Sequence, residues 1–355
     1  MGRRHFVAGA AAALTAATTR VAVAADHLPA LGRVAERTHP LRPGLTTIEA
    51  SFAQVAVVWH TGEPSCQVRA HGAAGWSRWH HLHRFTEGVG RVQGSDLVWF
   101  GDSDRVQVRR ADSAATGVRL VLLDPAGRPG DAVRRTTNRA AATQSKKPKP
   151  PTSAPKPALL SRKRWGANEK WRNGGPRYNK TIKQLHVHHT ATGNDYGRQD
   201  VPRLLRGIYR YHTKTLGWSD IGYNFLIDQF GRIWVGRAGG PGRPVRGAHT
   251  LGFNNTSVGV ALIGTFTDEA PADAAVGRLI RLAAWKLDKY DRDPRRKIRV
   301  RSQGSDLYRE GKVVRLPVID GHRDTNQTEC PGEELYDLLP RIRKRVGKRM
   351  DRFHD

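Results

Sequence analysis

Between Gly127 and Leu159 the chain carries a run that no globular core absorbs: Lys146-Lys147-Pro148-Lys149-Pro150-Pro151, with Ser153, Pro155 and Pro157 close behind. A stretch so rich in Lys and Pro has nothing to bury and stays extended and solvated. The fold must therefore be built as two units, one on each side of a linker at 127–158. A length of 355 residues accommodates both, since domains commonly hold about 100 to 200 residues. A hydrophobic share of 38% and nine Trp exclude disorder throughout. Only Cys66 and Cys330 occur as cysteines, which excludes a disulfide-stapled scaffold; Cys66 reads as a small buried apolar residue. No run reaches the roughly eighteen apolar residues of a membrane span, so a multi-span membrane protein is excluded and no transmembrane segment is expected in the mature chain.

Residues 1–25 read as an export signal: Arg3-Arg4-His5-Phe6-Val7, an Ala-rich middle interrupted by Arg20, then Val21-Ala22-Val23-Ala24-Ala25 as a small-residue cleavage site. The paired Arg ahead of Phe6 and Val7 resembles a twin-arginine signal. Lys and Arg number 60 against 32 Asp and Glu, a net +28, and such an excess favours an anionic polymer or surface. Lys146 to Lys180 alone holds eleven Lys or Arg against one acid, Glu169. Wall polymer or nucleic acid would satisfy that charge, as would a merely solvated spacer, and no base-reading motif accompanies it.

The first unit, 40–126, shows short β-rich runs such as Val55–Trp59, Asp96–Phe100 and Val118–Leu123, separated by Gly, Pro, Asp and Ser. This pattern predicts a small all-β sandwich. Trp76, Trp79 and Trp99 are either core or a sugar-stacking platform. The second unit, 159–346, alternates strands and helices. Strands are predicted at 182–188, at 223–228 in a hairpin with 232–235, and at 258–263, whose continuous apolar run suits a central strand. Helical stripes run through Val201, Leu204, Leu205 and Ile208 behind an Asp200 cap, through Val276, Leu279, Ile280, Ala283 and Leu287, and through Leu335 to Val346, where Pro340 should bend the helix. The class is α/β, a mixed sheet flanked by helices.

Three zinc-ligand candidates stand out: the His188-His189 pair, His322 and Cys330. The last two lie eight positions apart, about 12 Å on a straight helix and too far for one ion. A curled loop is therefore required, and Asp324, Asn326, Pro331 and Gly332 supply its turn chemistry. Two His and one Cys with a fourth position open is a catalytic rather than a structural arrangement. Adjacent strand residues face opposite ways, so parity alone does not choose between His188 and His189; the latter, sharing a face with Leu185 and Val187, points to the core or to a groove floor.

Five segments in order carry a resemblance: Ser161-Arg162-Lys163-Arg164-Trp165-Gly166-Ala167; Val187-His188-His189-Thr190-Ala191; Tyr211-His212 with Gly217 to Ile227; Arg246 to Asn255 with Ser257 to Val260; and Gly321 to Gly332. Together they resemble the peptidoglycan-recognition proteins of the type 2 N-acetylmuramoyl-L-alanine amidase family. The resemblance implies Zn2+ held by His188, His322 and Cys330, Tyr223 as the catalytic tyrosine, and Thr328 at the second catalytic position. It also puts His249 near the substrate, with His189 as a further substrate-side residue. The implied activity is zinc-dependent cleavage of the amide between N-acetylmuramic acid and L-alanine in peptidoglycan. The implied location is extracellular and wall-associated, with anionic wall polymer as a further partner and no specific nucleic acid. The alternative is a non-catalytic peptidoglycan-binding protein, against which the retained Cys330 and Tyr223 weigh.

Other conspicuous residues have plainer readings. Asp324 either steadies a ligand histidine or caps a turn. His212, between a helix end and two Tyr, reads as a packing or hydrogen-bonded histidine. Gly236 to Gly240 lacks the Gly-Lys-Ser/Thr ending of a phosphate loop and is rejected as one. The seven Lys and Arg of 341–352 read as a solvated helix face.

Overall fold

The strand β2 (Gly44–Trp59) ends in eight consecutive buried residues, Phe52 to Trp59, which a strand covered on one face cannot produce. Val55, Val57 and Trp59 enter the sandwich core with Val106, Val108, Leu120 and Leu122. Ala56 and Val58 point the other way, into a second core shared with Leu204, Leu205 and Ile208. Register shifts between Glu49 and Gln54 reset the alternation, so that Phe52 and Val55 face the same core. With β1 (Val34–Pro40), β3 (Cys66–Gly72), β4 (Val98–Arg110) and β5 (Arg119–Pro125), β2 makes an antiparallel sheet in the order β1-β5-β2-β4-β3. Bent at those shifts, the sheet closes a sandwich of the all-β kind that the sequence predicts. Cys66 and Trp99 are buried, whereas Trp76 and Trp79 lie on its outer side, sandwiched with Arg69 and Arg109.

This computed structural model describes residues 20–22, 33–85, 92–111, 114–131 and 152–354. All but three residues of the expected export signal, and the Lys/Pro core of the expected linker, lie outside them. The two ends of that linker are packed: Asp131 is buried, and Ala154 enters the core of the second unit with its N–H donated to Asp288 at 2.6 Å.

The second unit is a five-stranded mixed sheet. Strands β6 (Gln184–His189), β7 (Phe225–Ile227), β8 (Ile233–Val235), β9 (Ser257–Leu262) and β10 (Ile319–Gly321) are ordered β8-β7-β9-β6-β10. All pairs are parallel except the β7–β8 hairpin. Leu185, Val187, Val258, Val260 and Leu262 face helices α2 (Asp273–Asp288) and α3 (Leu339–Asp351). The opposite face, through Leu226, Ala261 and Ile263, meets α1 (Val201–Arg210), which also carries the sandwich on its back. Pro340 does more than bend the last helix: a short turn at Glu333–Asp337 stops, and α3 restarts with Pro340 in its first turn, where a missing N–H costs nothing. Asp200 precedes α1 as expected, yet its carboxylate accepts from Gly197 N–H at 2.8 Å and makes no capping hydrogen bond to the helix backbone.

The two units are locked by Arg206. Its fully buried guanidinium makes a two-pronged pair with Asp131, at 2.7 and 3.0 Å, and donates to the carbonyls of Ala126 and Trp165. Arg210 pairs with Glu36 at 2.7 Å, and Trp99 N–H donates to Thr192 at 2.9 Å. Arg206→Ala strands a buried carboxylate and two carbonyls, so stability should fall by about 3–5 kcal/mol in urea unfolding. A second buried cation predicts a pH effect. Lys286 donates to the Pro241 and Arg243 carbonyls at 2.7 and 2.9 Å, and burial pushes its ammonium from 10.5 down to about 7. Between those values the unfolded chain holds the extra proton, so this group's contribution to stability rises with pH. Relative to Lys286→Met, the wild type should therefore gain stability from pH 7 to pH 9 in the same assay.

Candidate metal centre and cleft

Parallel pairing sets the site. Val187 lies level with Gly321 across β6 and β10, so the next residues, His188 near the end of β6 and His322 just past the end of β10, stand side by side. Their rings are 4.7 Å apart, centroid to centroid. After Gly321 the chain turns at His322–Asp324 and curls back, with Arg323 N–H donating to the Cys330 carbonyl at 2.9 Å. The eight-residue separation is thereby closed. Ligand atoms of His188, His322 and Cys330 lie within 4.8 Å of one another, all three residues buried, and Cys330 Sγ is 3.7 Å from His188 Nδ1. Two imidazoles and a thiol at this spacing are a donor set that suits zinc. Burial foremost, then the neighbouring His322, holds His188 far below its usual 6.5, and burial pushes His322 down to about 3. Both rings are therefore neutral at physiological pH, as metal ligands must be.

Behind the ligands lies a buried polar chain. His188 Nε2 is 3.1 Å from His249 Nδ1, and His186, on the same strand face two residues earlier, is 2.5 Å from the Asp320 carboxylate. The His186 and His249 rings are 5.8 Å apart. A His188 that offers Nδ1 forward carries its proton on Nε2 and donates it to His249, which fixes the ring's tautomer. His249 is thus a support behind His188, fully buried, where the sequence reading had set it beside the substrate. His189 does reach the cleft. Asp324 takes the turn role, accepting from Gly321 N–H at 2.8 Å and from the Tyr336 hydroxyl at 2.6 Å. His186 and Asp320 went unnoticed in the sequence, although period-two alternation puts His186 and His188 on one face.

In front of the ligands a cleft of about 470 Å³ is lined by His189, Tyr223, Thr328 and Cys330. The Tyr223 and His188 rings are 5.4 Å apart, and Thr328 Oγ1 accepts from Cys330 N–H at 3.2 Å, steadying the cysteine loop. His212 is a packing residue: burial pushes it down to about 3, its Nδ1 accepts from Gly222 N–H at 3.1 Å, and its ring lies 4.5 Å from that of Trp218. The sandwich unit also reaches this cleft, with Arg84, Phe85 and Asp96. Burial raises the Asp96 carboxyl to about 8, against its backbone hydrogen bond from His83, so it holds a proton at neutral pH. No motif in a single chain links these residues to the site.

A family model described as N-acetylmuramoyl-L-alanine amidase matches residues 178–333, and one described as Rv3811 N-terminal galactose-binding domain-like matches residues 12–154. The human N-acetylmuramoyl-L-alanine amidase is 33% identical over 211 residues, covering 55% of this chain and 32% of that protein, so the chain spans about a third of that relative's length. Peptidoglycan-recognition protein SC2 of Drosophila simulans is 31% identical over 153 residues, 43% of this chain and 70% of that protein. The solved structure of wild-type Drosophila PGRP-LB aligns at 29% identity with a TM-score of 0.41, covering 51% of this chain and 92% of that one.

The chain behind the ligands makes a packing prediction. A Cβ on Gly259 would meet the His249 ring at 2.3 Å, and that ring is buried with nowhere to go. Gly259→Ala should cost about 1–3 kcal/mol in urea unfolding, and by displacing His249 from His188 should weaken zinc binding about 10- to 100-fold in a competition titration.

Proposed function

Since the chain belongs to the family of peptidoglycan-recognition proteins and N-acetylmuramoyl-L-alanine amidases, we propose that it is a catalytic member: a zinc hydrolase that cuts the amide between N-acetylmuramic acid and the L-alanine of the stem peptide. The observation that carries this is the convergence of His188, His322 and Cys330, with Tyr223 on the cleft in front of them. Zinc bound there would supply Lewis acidity and a water made acidic near neutral pH.

The protein's own residues do the rest. His249 holds the proton of His188 on the ring nitrogen away from the cleft, so that the other nitrogen, facing Cys330 Sγ, can serve as a ligand. The Tyr223 hydroxyl is the donor placed to stabilise negative charge as it develops on the scissile carbonyl oxygen. Thr328 is no base at physiological pH. Its hydroxyl, already accepting from Cys330 N–H, orients the cysteine loop and offers a donor to the substrate. Peptidoglycan is the substrate in this reading, export through the twin-arginine-like segment brings the enzyme to it, and the +28 balance favours retention on anionic wall polymer. Among the described residues no helix is long and apolar enough to cross a membrane.

Purified peptidoglycan provides the test. The wild type should release peptides with new L-alanine amino termini, stop on chelation and recover with zinc. Cys330→Ala and His322→Ala should each lower release more than about 100-fold while remaining folded by circular dichroism, and Tyr223→Phe should lower kcat about 10²- to 10³-fold, as loss of an oxyanion donor does. Wall binding without release by the zinc-loaded wild type would instead make it a recognition protein without catalysis.

A further inference from the structure

The sandwich unit has no part in the chemistry just described, yet its segments 83–85 and 94–96, through every residue but Ser95, line the same cleft as Cys330 and Thr328. They are held there from both sides. Phe85 N–H donates to Gly94 at 2.8 Å and Asp96 N–H to His83 at 2.9 Å, which joins the two segments. Ser95 is stitched into the sandwich through Val57, at 2.8 and 3.0 Å, and the Tyr211 hydroxyl of the second unit donates to the Ser95 carbonyl at 2.9 Å. A Cβ on Gly94 would fall 2.2 Å from that same hydroxyl, so the close approach requires glycine here. Phe85 lies with its ring 5.3 Å from His212 and 5.4 Å from Trp218, and Phe85, Trp218 and Tyr223 all line the cleft. A ligand entering therefore meets the two units as one surface.

We propose that the sandwich unit forms a substrate-contacting wall of the catalytic cleft, with Phe85 as its specificity-determining residue, packing beside Trp218 against the muramoyl-peptide next to the scissile amide. This rests on the function proposed above. The aromatic pair supplies apolar contact area at little cost in side-chain entropy, as rigid rings do at recognition sites. Arg84, paired with Glu63 at 3.6 Å, lines the same wall as a charged neighbour. Phe85 contacts ground state and transition state alike, so its loss appears in affinity and KM rather than in kcat.

The test compares the zinc-loaded full chain with Phe85→Ala and Phe85→Leu, the second keeping an apolar side chain in case the first disturbs the junction of the units. Calorimetric binding of an N-acetylmuramoyl tripeptide to chelated, metal-free protein gives a readout independent of turnover. Phe85→Ala should raise Kd and KM about tenfold or more with kcat within about threefold, and Phe85→Leu should fall between it and the wild type. Unchanged Kd and KM in both variants would overturn the proposal, as would a fall in kcat at constant Kd. Failure of the amidase reading looks different: the wild type would release no product while Phe85 still governed tripeptide binding.

Discussion

The register of three parallel strands is the constraint on which the site depends. β9, β6 and β10 run side by side, and the register that sets Val187 against Gly321 also sets His188 beside His322. Side-chain parity in a strand is unforgiving: a slip of one residue would turn His188 into the helix-packed core and bring Val187 into its place. That core is what prevents the slip. Leu185, Val187, Val258 and Val260 must face α2 and α3, and satisfying them leaves the even-numbered His186 and His188 on the other side. The apolar pattern thus positions the polar residues, and the cleft opens at the carboxyl ends of the strands, as it does in other open parallel sheets.

The same two-sided burial explains why the β-sandwich cannot be a detached module. Outward-facing Ala56, Val58, Val121 and Leu123 are as buried as the residues pointing into the sandwich; separated from α1 they would form a contiguous apolar face on the surface. Into that apolar contact the chain sets Arg206 with Asp131. Such a pair adds little net stability over a well-packed apolar replacement, because desolvation offsets most of its attraction. Its contribution is directional, since one alignment of α1 with residues 126–131 and Trp165 satisfies both terminal nitrogens of its guanidinium. Fixed alignment is what a cleft with walls from two units requires.

What could be read in the sequence and what could not divide along a physical line. Features set by local chemistry were legible: a break in the helical run near Pro340, the apolar periods of α1 and α2, the hairpin of 223–228 with 232–235, and the need for a loop that curls between His322 and Cys330. Features set by what packs against what were not. The unbroken run Val55–Trp59 announced a strand, but only the fold shows that α1 covers its second face. His249 lies in a Gly-rich loop among motif positions, where a cleft residue is expected, and its place behind His188 depends on the room that Gly259 leaves for its ring in β9. Of the two readings open for Asp324 the fold takes the turn, while Asp320, four residues earlier, is the carboxylate that pairs with a histidine.

The buried row of Asp320, His186, His249 and His188 extends the site behind its ligands. His188 and His249 are both fully buried with ring nitrogens 3.1 Å apart, so a proton taken up by one raises the cost of a further proton on the other. Asp320 itself is raised to about 6 by burial, against the pull of His186, which leaves one carboxyl to balance the whole row. An array of this kind resists charge of its own and is ready to receive a cation, because charge introduced at His188 and His322 meets a thiol and rings already emptied of protons. On this argument the polar row belongs to the ligand site as much as the three donors do: His249 fixes the tautomer of His188, and His186, paired with Asp320, packs beside His249.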